Sequence, residues 1–221
     1  MNLVPVARIE NDFDTKFGLP RQSGLNGSLV SRVRLEKDFA REDFIRGIGE
    51  FSHLWLIWGF DVKPSKSATV RPPRLGGNER RGVFATRSPF RPNPVGLTVV
   101  KLISVDTEGG ITLTVSGADM KSGTLIYDIK PYIPYADCVA GASGGFAEEH
   151  KGDRLAVVFP EDLLAQIPEG KRAALAEALA EDPRPAYQDD ESRVYGFSYG
   201  GKDVRFRVEG GTLTVIEIKE N

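Results

Sequence analysis

A single cysteine, Cys138, excludes an internal disulfide, and two separated histidines, His53 and His150, leave no cluster at metal-ligand spacing. No metal site is expected. No run of eighteen apolar residues occurs, and the opening MNLVPVARIE lacks the basic flank and apolar stretch of a secretory signal. The expectation is a reduced, cytoplasmic protein with no membrane attachment. Neither sign of charge dominates: 29 Lys+Arg against 31 Asp+Glu leave −2, so a polyanion has to be met by a local patch. With 40% apolar and 27% charged residues in 221, the composition is that of a soluble globular chain, one good-sized domain with or without a small appendage.

Period two dominates the hydrophobic pattern. Strands are expected at Val4 to Glu10, Ser28 to Glu36, Gly82 to Thr86, Val95 to Val105, Ile111 to Ser116 and Thr124 to Lys130. HLWLIWGFDV, His53 to Val62, reads as a fully buried strand, and Phe39 to Ile48 as a short helix stopped by Gly49. That many strands with one helix predict a mainly β fold, a closed antiparallel barrel-like domain over residues 1–150. The small, polar stretch after Cys138 reads as a flexible crossing, with a boundary near Lys151. Residues 151–221 then form a small α+β domain: a strand at Leu155 to Phe159, helical stretches from Glu161 to Glu181, and a meander of RVYGFSY, DVRFRV and TLTVIEI packed on helix.

The local patch runs from Arg71 to Lys101, where seven basic residues and one acid give +6 in a chain of −2. Six of the seven are arginines: Arg71, Arg74, Arg80, Arg81, Arg87 and Arg91. Their planar forks suit carboxylate and phosphate. Prolines and glycines between them describe a stiff loop that presents guanidinium groups. Read as charge alone, the same stretch is a solvated surface. Gly77 and Gly82 have P-loop spacing, but Val83-Phe84 stands where Lys and Ser/Thr are needed, which excludes the nucleotide-triphosphate reading.

Two further segments carry suitable groups. In GLPRQSGL, Pro20 restrains a backbone whose Arg21 and Gln22 offer donors and an acceptor, although a surface turn has the same composition. In DIKPYIPY, Asp128 and Lys130 share one strand face, as an ordinary ion pair or as a proton-handling pair. His53 reads as a structural histidine, His150 as solvated and Cys138 as a plain thiol. The acids around DPRPAY, Glu181 to Glu191, read as a solvated turn or as a counterpart to a second subunit's arginine loop.

The strings PRQSGL (Pro20 to Leu25), FSHLWLI (Phe51 to Ile57), VRPPRLGGNERRGVFATRSPFRPNPVGL (Val70 to Leu97), SGTLIYDIKPYIPYAD (Ser122 to Asp137) and DPRPAY (Asp182 to Tyr187) together resemble the TrmO, or TsaA-like, family. The resemblance implies an S-adenosylmethionine-dependent tRNA methyltransferase on a β-barrel. It implies a homodimer with the donor near the subunit contact. The implied reaction is methylation of the exocyclic N6 of threonylcarbamoyl-adenosine next to the anticodon. It implies donor contacts at Pro20, Arg21, Gln22, Phe60, Asp61, Arg87, Leu97, Ser122, Gly123, Thr124 and Leu125. Two stretches depart from the family pattern: Phe60-Asp61 replaces Phe-His, and Ser122-Gly123-Thr124-Leu125 replaces Asp-Gly-Thr-Pro.

For tRNA, the expected contacts are Arg71, Arg74, Arg80, Arg81, Phe90, Arg91 and Asn93. Phe90 or Tyr132 would stack on a base, and Arg87, Arg91 or Arg74 would read the threonyl carboxylate. On this reading Arg91→Ala abolishes methylation with little loss of folding. The poor, urea-like nitrogen needs a proton acceptor. Asp128, oriented by Lys130 or Tyr132, is the candidate, against the substrate's own carboxylate or water. The alternatives are a noncatalytic RNA-binding β module and a methyltransferase acting on a small acidic metabolite.

Overall fold

The computed structural model describes residues 2–220 except 21, 25, 73–78, 151–153 and 185–189, and of 149 and 150 it describes the backbone alone. Arg21, Arg74 and the boundary expected at Lys151 lie outside the described residues, as does the side chain of His150.

In chain order the first part comprises β1 (Ala7–Glu10), β2 (Val30–Leu35), α1 (Glu42–Ile45), β3 (His53–Gly59), the two-residue strands β4 (Thr69–Val70) and β5 (Arg81–Gly82), β6 (Val95–Asp106), β7 (Thr112–Ser116), β8 (Leu125–Pro131) and α2 (Pro134–Asp137). The six long strands close a barrel in the order β1-β2-β7-β6-β3-β8, antiparallel throughout. Alternation sends Ala7, Ile9, Val33, Leu54, Leu56, Val100, Leu113, Val115 and Ile126 into the interior. β3 alternates as well: Trp55 and Ile57 are only half-buried, so the strand expected to be buried on both faces has one outward face.

The expected helix at Phe39 to Ile48 is reduced to the single turn α1 and a 3-10 turn at Ile48–Glu50. Gly47, at φ 82°, separates them, because a left-handed residue cannot continue a right-handed helix. The strand expected at Gly82 to Thr86 ends at Gly82 and becomes a 3-10 turn, Val83–Ala85. Arg91 explains how the following loop holds its shape. Its guanidinium donates to the carbonyls of Ser88 (2.9 Å), Val83 (3.0 Å) and Thr86 (2.6 Å). Expected at the substrate, Arg91 instead braces the loop.

β9 (Ala156–Val158), α3 (Glu161–Leu164), α4 (Glu169–Ala180), β10 (Tyr195–Tyr199), β11 (Lys202–Glu209) and β12 (Thr212–Glu220) make the second part. Its sheet runs β10-β11-β12-β9, an antiparallel meander with β9 added parallel to β12. Ala174, Leu175, Ala178 and Leu179 form the buried face of α4.

This second core is not built from the second part alone. Phe13 and Leu29 are buried in it, and Phe17 and Leu19 pack against it. Gly18, at φ 86°, lies so close to the Phe197 ring that a Cβ would come within 2.4 Å of it. Polar staples flank the contact: Asn26 Nδ2 donates to the Ala174 carbonyl (2.7 Å), Ser28 Oγ to Glu177 (2.6 Å), and Lys171 pairs with Asp12. The segment between β1 and β2 is thereby fixed to α4 and β10.

Inside the barrel Trp58 is paired across the sheet with Gly96. A Cβ on Gly96 would meet the indole at 2.3 Å, so only glycine admits the ring there. Gly96→Ala is therefore expected to lose about 1–3 kcal/mol of stability by overpacking, measured by thermal or denaturant unfolding. Arg91→Ala strips three carbonyls of their donor and is expected to lose about 1–3 kcal/mol with faster proteolysis between Val83 and Pro94; unchanged unfolding and cleavage would contradict the brace.

Candidate active site

The C-terminal end of β3, the N-terminal ends of β6 and β8 and the turn after β7 lie at one mouth of the barrel. A cavity of about 1040 Å³ opens there. Trp58 and Phe60 lie in its wall with ring centroids 4.2 Å apart. The stapled segment supplies Lys16, Pro20 and Gln22, and the arginine-rich loop supplies Phe84, Arg87 and Pro89. The later chain adds Phe146 and Arg184. Phe146 belongs to a 3-10 turn, Gly145–His150, within the stretch expected to be a flexible crossing, and the Arg81 guanidinium lies 5.7 Å from its ring centroid. Arg184 is held bidentately by Asp182.

One acid in the wall has an unusual setting. Asp119 follows Gly117 and lies between Ala118 and Met120, both fully buried, so its backbone is held by core on either side. Its Oδ1 accepts a hydrogen bond from Thr98 Oγ1 at 2.6 Å. Thr98 is fully buried and its oxygen accepts from Trp58 Nε1 at 2.8 Å. The indole has only a donor, so Thr98 must direct its single proton at Asp119. Burial pushes the Asp119 carboxyl above its ordinary value; the Thr98 bond, its own backbone, the Arg87 charge and the Ser23 backbone pull it down without cancelling the rise.

The second acid, Asp61, is exposed, and its carboxylate is held by Lys121 at 3.2 Å while Lys16 donates to its carbonyl at 2.9 Å. Lys16, Arg87, Lys121 and Arg184 make the wall predominantly cationic.

Of the donor contacts implied by the resemblance, Pro20, Gln22, Phe60, Asp61, Arg87 and Thr124 line this cavity. Ser122, Gly123, Leu125 and Leu97 do not. Ser122 and Gly123 form the turn into β8, their amides donating to Phe13 and Ile9 carbonyls, and Leu125 pairs with Arg8. Leu97 is 57% exposed on the outside of β6.

Asp128, Lys130 and Tyr132 lie outside the lining as well. β8 carries one extra residue opposite Ile57/Trp58, so its inward positions change from Ile126 to Ile129. Asp128 and Lys130 are thus turned away from the core, where they pair at 2.8 Å. Tyr132 stands beside Trp55 and His53, its hydroxyl pushed above its ordinary value by desolvation and by Cys138 and Asp137, which suits a donor and not a base.

Among the tRNA candidates, Arg71, Arg80, Phe90 and Asn93 are exposed outside the lining. Arg80 donates to Thr69, and Arg81 pairs with Glu79 at 2.7 Å. Trp58, Gly96, Thr98, Asp119 and Lys121 were not among the expected site residues. An acid between two core-forming residues in SGADMK is the signal for Asp119; the pairing of Trp58 with Gly96 requires a register that period two alone does not supply.

Residues 8–138 match the family model of the tRNA-methyltransferase O N-terminal domain and residues 152–221 that of the TrmO C-terminal domain. A tRNA (adenine(37)-N6)-methyltransferase of Eikenella corrodens is 44% identical over 168 residues, 75% of this chain and 95% of that protein. An S-adenosyl-L-methionine-binding protein of Archaeoglobus fulgidus is 35% identical over 144 residues, covering 65% of this chain and 98% of the relative. The crystal structure of TrmO from Pseudomonas aeruginosa superposes with a TM-score of 0.81 at 30% identity, over 100% of this chain and 97% of that one. The chain belongs to the tRNA-methyltransferase O family, in its N-terminal and its C-terminal part alike.

Proposed function

We propose that this chain is a methyltransferase that moves a methyl group from S-adenosylmethionine to the exocyclic N6 of adenosine 37 in tRNA, and that the adenosine it selects carries a threonylcarbamoyl group. The observation that carries the reading is the cavity itself: aromatic faces, a partly buried acid and a cationic wall meet at one mouth of the barrel.

The donor combines a purine nucleoside, a sulfonium and an amino acid, and the residues present fit each part. The Trp58 and Phe60 faces suit a sulfonium or purine. Lys16 and Lys121 offer ammonium groups to the carboxylate, and Gln22 and Asp61 offer acceptors to the ammonium and ribose hydroxyls. Asp61 is already oriented by Lys121, so the departure from histidine keeps a polar group in place. When bound, the donor supplies a methyl already activated on cationic sulfur. The protein's work is alignment, exclusion of water and removal of one proton.

Arg87, exposed at the rim of the cavity with its charge reaching Asp119, offers a guanidinium fork to the threonyl carboxylate. Arg71 and Arg80 extend the cationic surface toward anticodon-loop phosphates, and Phe90, 55% exposed, offers a ring to an unstacked base.

Incubation with labelled donor and with tRNA that has or lacks the threonylcarbamoyl group, followed by nucleoside mass spectrometry, tests this. Methyl on N6 of the modified nucleoside only is expected. Equal product on plain adenosine removes the threonylcarbamoyl selection, and no product on either removes the reaction. Arg87→Ala is expected to lower kcat/KM for the modified tRNA by about tenfold or more, the loss of a hydrogen bond to a charged group. Binding of tRNA should weaken steeply with salt; a shallow slope with a small acid as the better substrate would replace tRNA by a metabolite.

A further inference from the structure

On the reading that N6 of a tRNA adenosine is methylated here, we infer that Asp119 takes the proton from the attacking nitrogen, and that Trp58 and Thr98 are positioning residues that aim its carboxylate. A structural acid in such a place is normally neutralised by a nearby cation. Among the described residues no cation lies within ion-pair distance of Asp119, and Arg87 acts on it through space. Beside backbone hydrogen bonds from its own amide and from Ser23, what holds it is a neutral relay with one possible polarity, from indole N–H to Thr98 hydroxyl to carboxylate. The relay fixes one oxygen and leaves the carboxylate its charge. It is built from three separate elements, β3, β6 and the turn after β7, and it ends in the cavity wall.

The step balances without a further reactant. The N6–H proton passes to the Asp119 carboxylate as the nitrogen pair forms the bond to the methyl carbon. The carbon–sulfur bond breaks with its electron pair on sulfur, leaving a neutral thioether, and Asp119 then returns the proton to water. Among the described residues, the other charged groups facing the cavity are Lys16, Asp61, Arg87, Lys121 and Arg184, so the described carboxylates there are Asp61 and Asp119. Burial leaves Asp119 a stronger base than an exposed aspartate.

Asp119→Asn keeps an oxygen for Thr98 and cannot take a proton. With saturating donor and modified tRNA, kcat is expected to fall about 100-fold or more. Calorimetric Kd values for donor and tRNA should stay within about threefold. The wild-type rate should fall as pH drops through the Asp119 pKa, and that acid limb should disappear in the variant. Thr98→Val removes a bond that lowers this pKa, so its limb should move to higher pH.

A readout independent of turnover is the melting temperature. The folded-state pKa is raised, so ionising Asp119 costs stability once pH exceeds its unfolded value. Asp119→Asn should therefore melt above wild type at neutral pH, and the gap should close in acid, below about pH 4. Turnover by Asp119→Asn within about threefold of wild type, or an unmoved acid limb, overturns the assignment. Lost donor affinity with kcat kept also overturns it, making Asp119 a counter-ion to the sulfonium. A wild-type chain that methylates neither tRNA overturns the functional reading, and this assignment with it.

Discussion

An indole ring over a glycine decides how the mouth of the barrel is built. Trp58 fits inside because its cross-strand partner is Gly96, and that seat brings Nε1 to Thr98, two residues further along β6 on the same inner face. Thr98 then has one proton and one place to send it. A neutral hydrogen bond is worth about 1 kcal/mol net, and one to a carboxylate about twice that, so the relay contributes modestly to stability. Its larger effect is geometric, because each bond removes a rotational freedom from the next group.

The same mouth depends on the second part of the chain. Among its described residues, the segment carrying Lys16, Pro20 and Gln22 forms no strand, and it meets the barrel through the backbone bonds of Gly24 to Gly117 and Ser122 to Phe13. It is held by burying Phe13 and Leu29 in the C-terminal core and by the staples to Lys171, Ala174 and Glu177. Phe146 and Arg184 approach from the later chain. α4 and the meander therefore serve as a scaffold for one wall of the site, and the two cores cannot be separated without exposing Phe13 and Leu29 to water.

The barrel was legible because alternation is a local property: Val33, Leu35, Leu113 and Val115 declare their face within a few residues. The meander was legible for the same reason. The helix at Phe39 failed on Gly47, whose positive φ overrides a plausible apolar spacing. The candidate base lies outside the cavity because of a bulge. Asp128 and Lys130 do share a face, as read, but one extra residue in β8 points that face away from the core. Asp119 was hidden for a different reason. Its importance comes from Thr98 and Trp58, 21 and 61 positions earlier, and only strand pairing brings them together.

Arginine shows most clearly what residue type leaves open. Arg87 and Arg91 are four positions apart in one loop and look interchangeable as charges. Arg91 spends its fork on three backbone carbonyls and makes the loop rigid; Arg87 is left exposed at the rim of the cavity that the loop walls. The loop that Arg91 braces also carries Arg87, whose charge acts through space to lower the carboxyl that burial raises. An acid group bound by Arg87 neutralises part of that pull. On the proposed function, an anionic substrate held at the rim would therefore leave Asp119 a stronger base through charge alone.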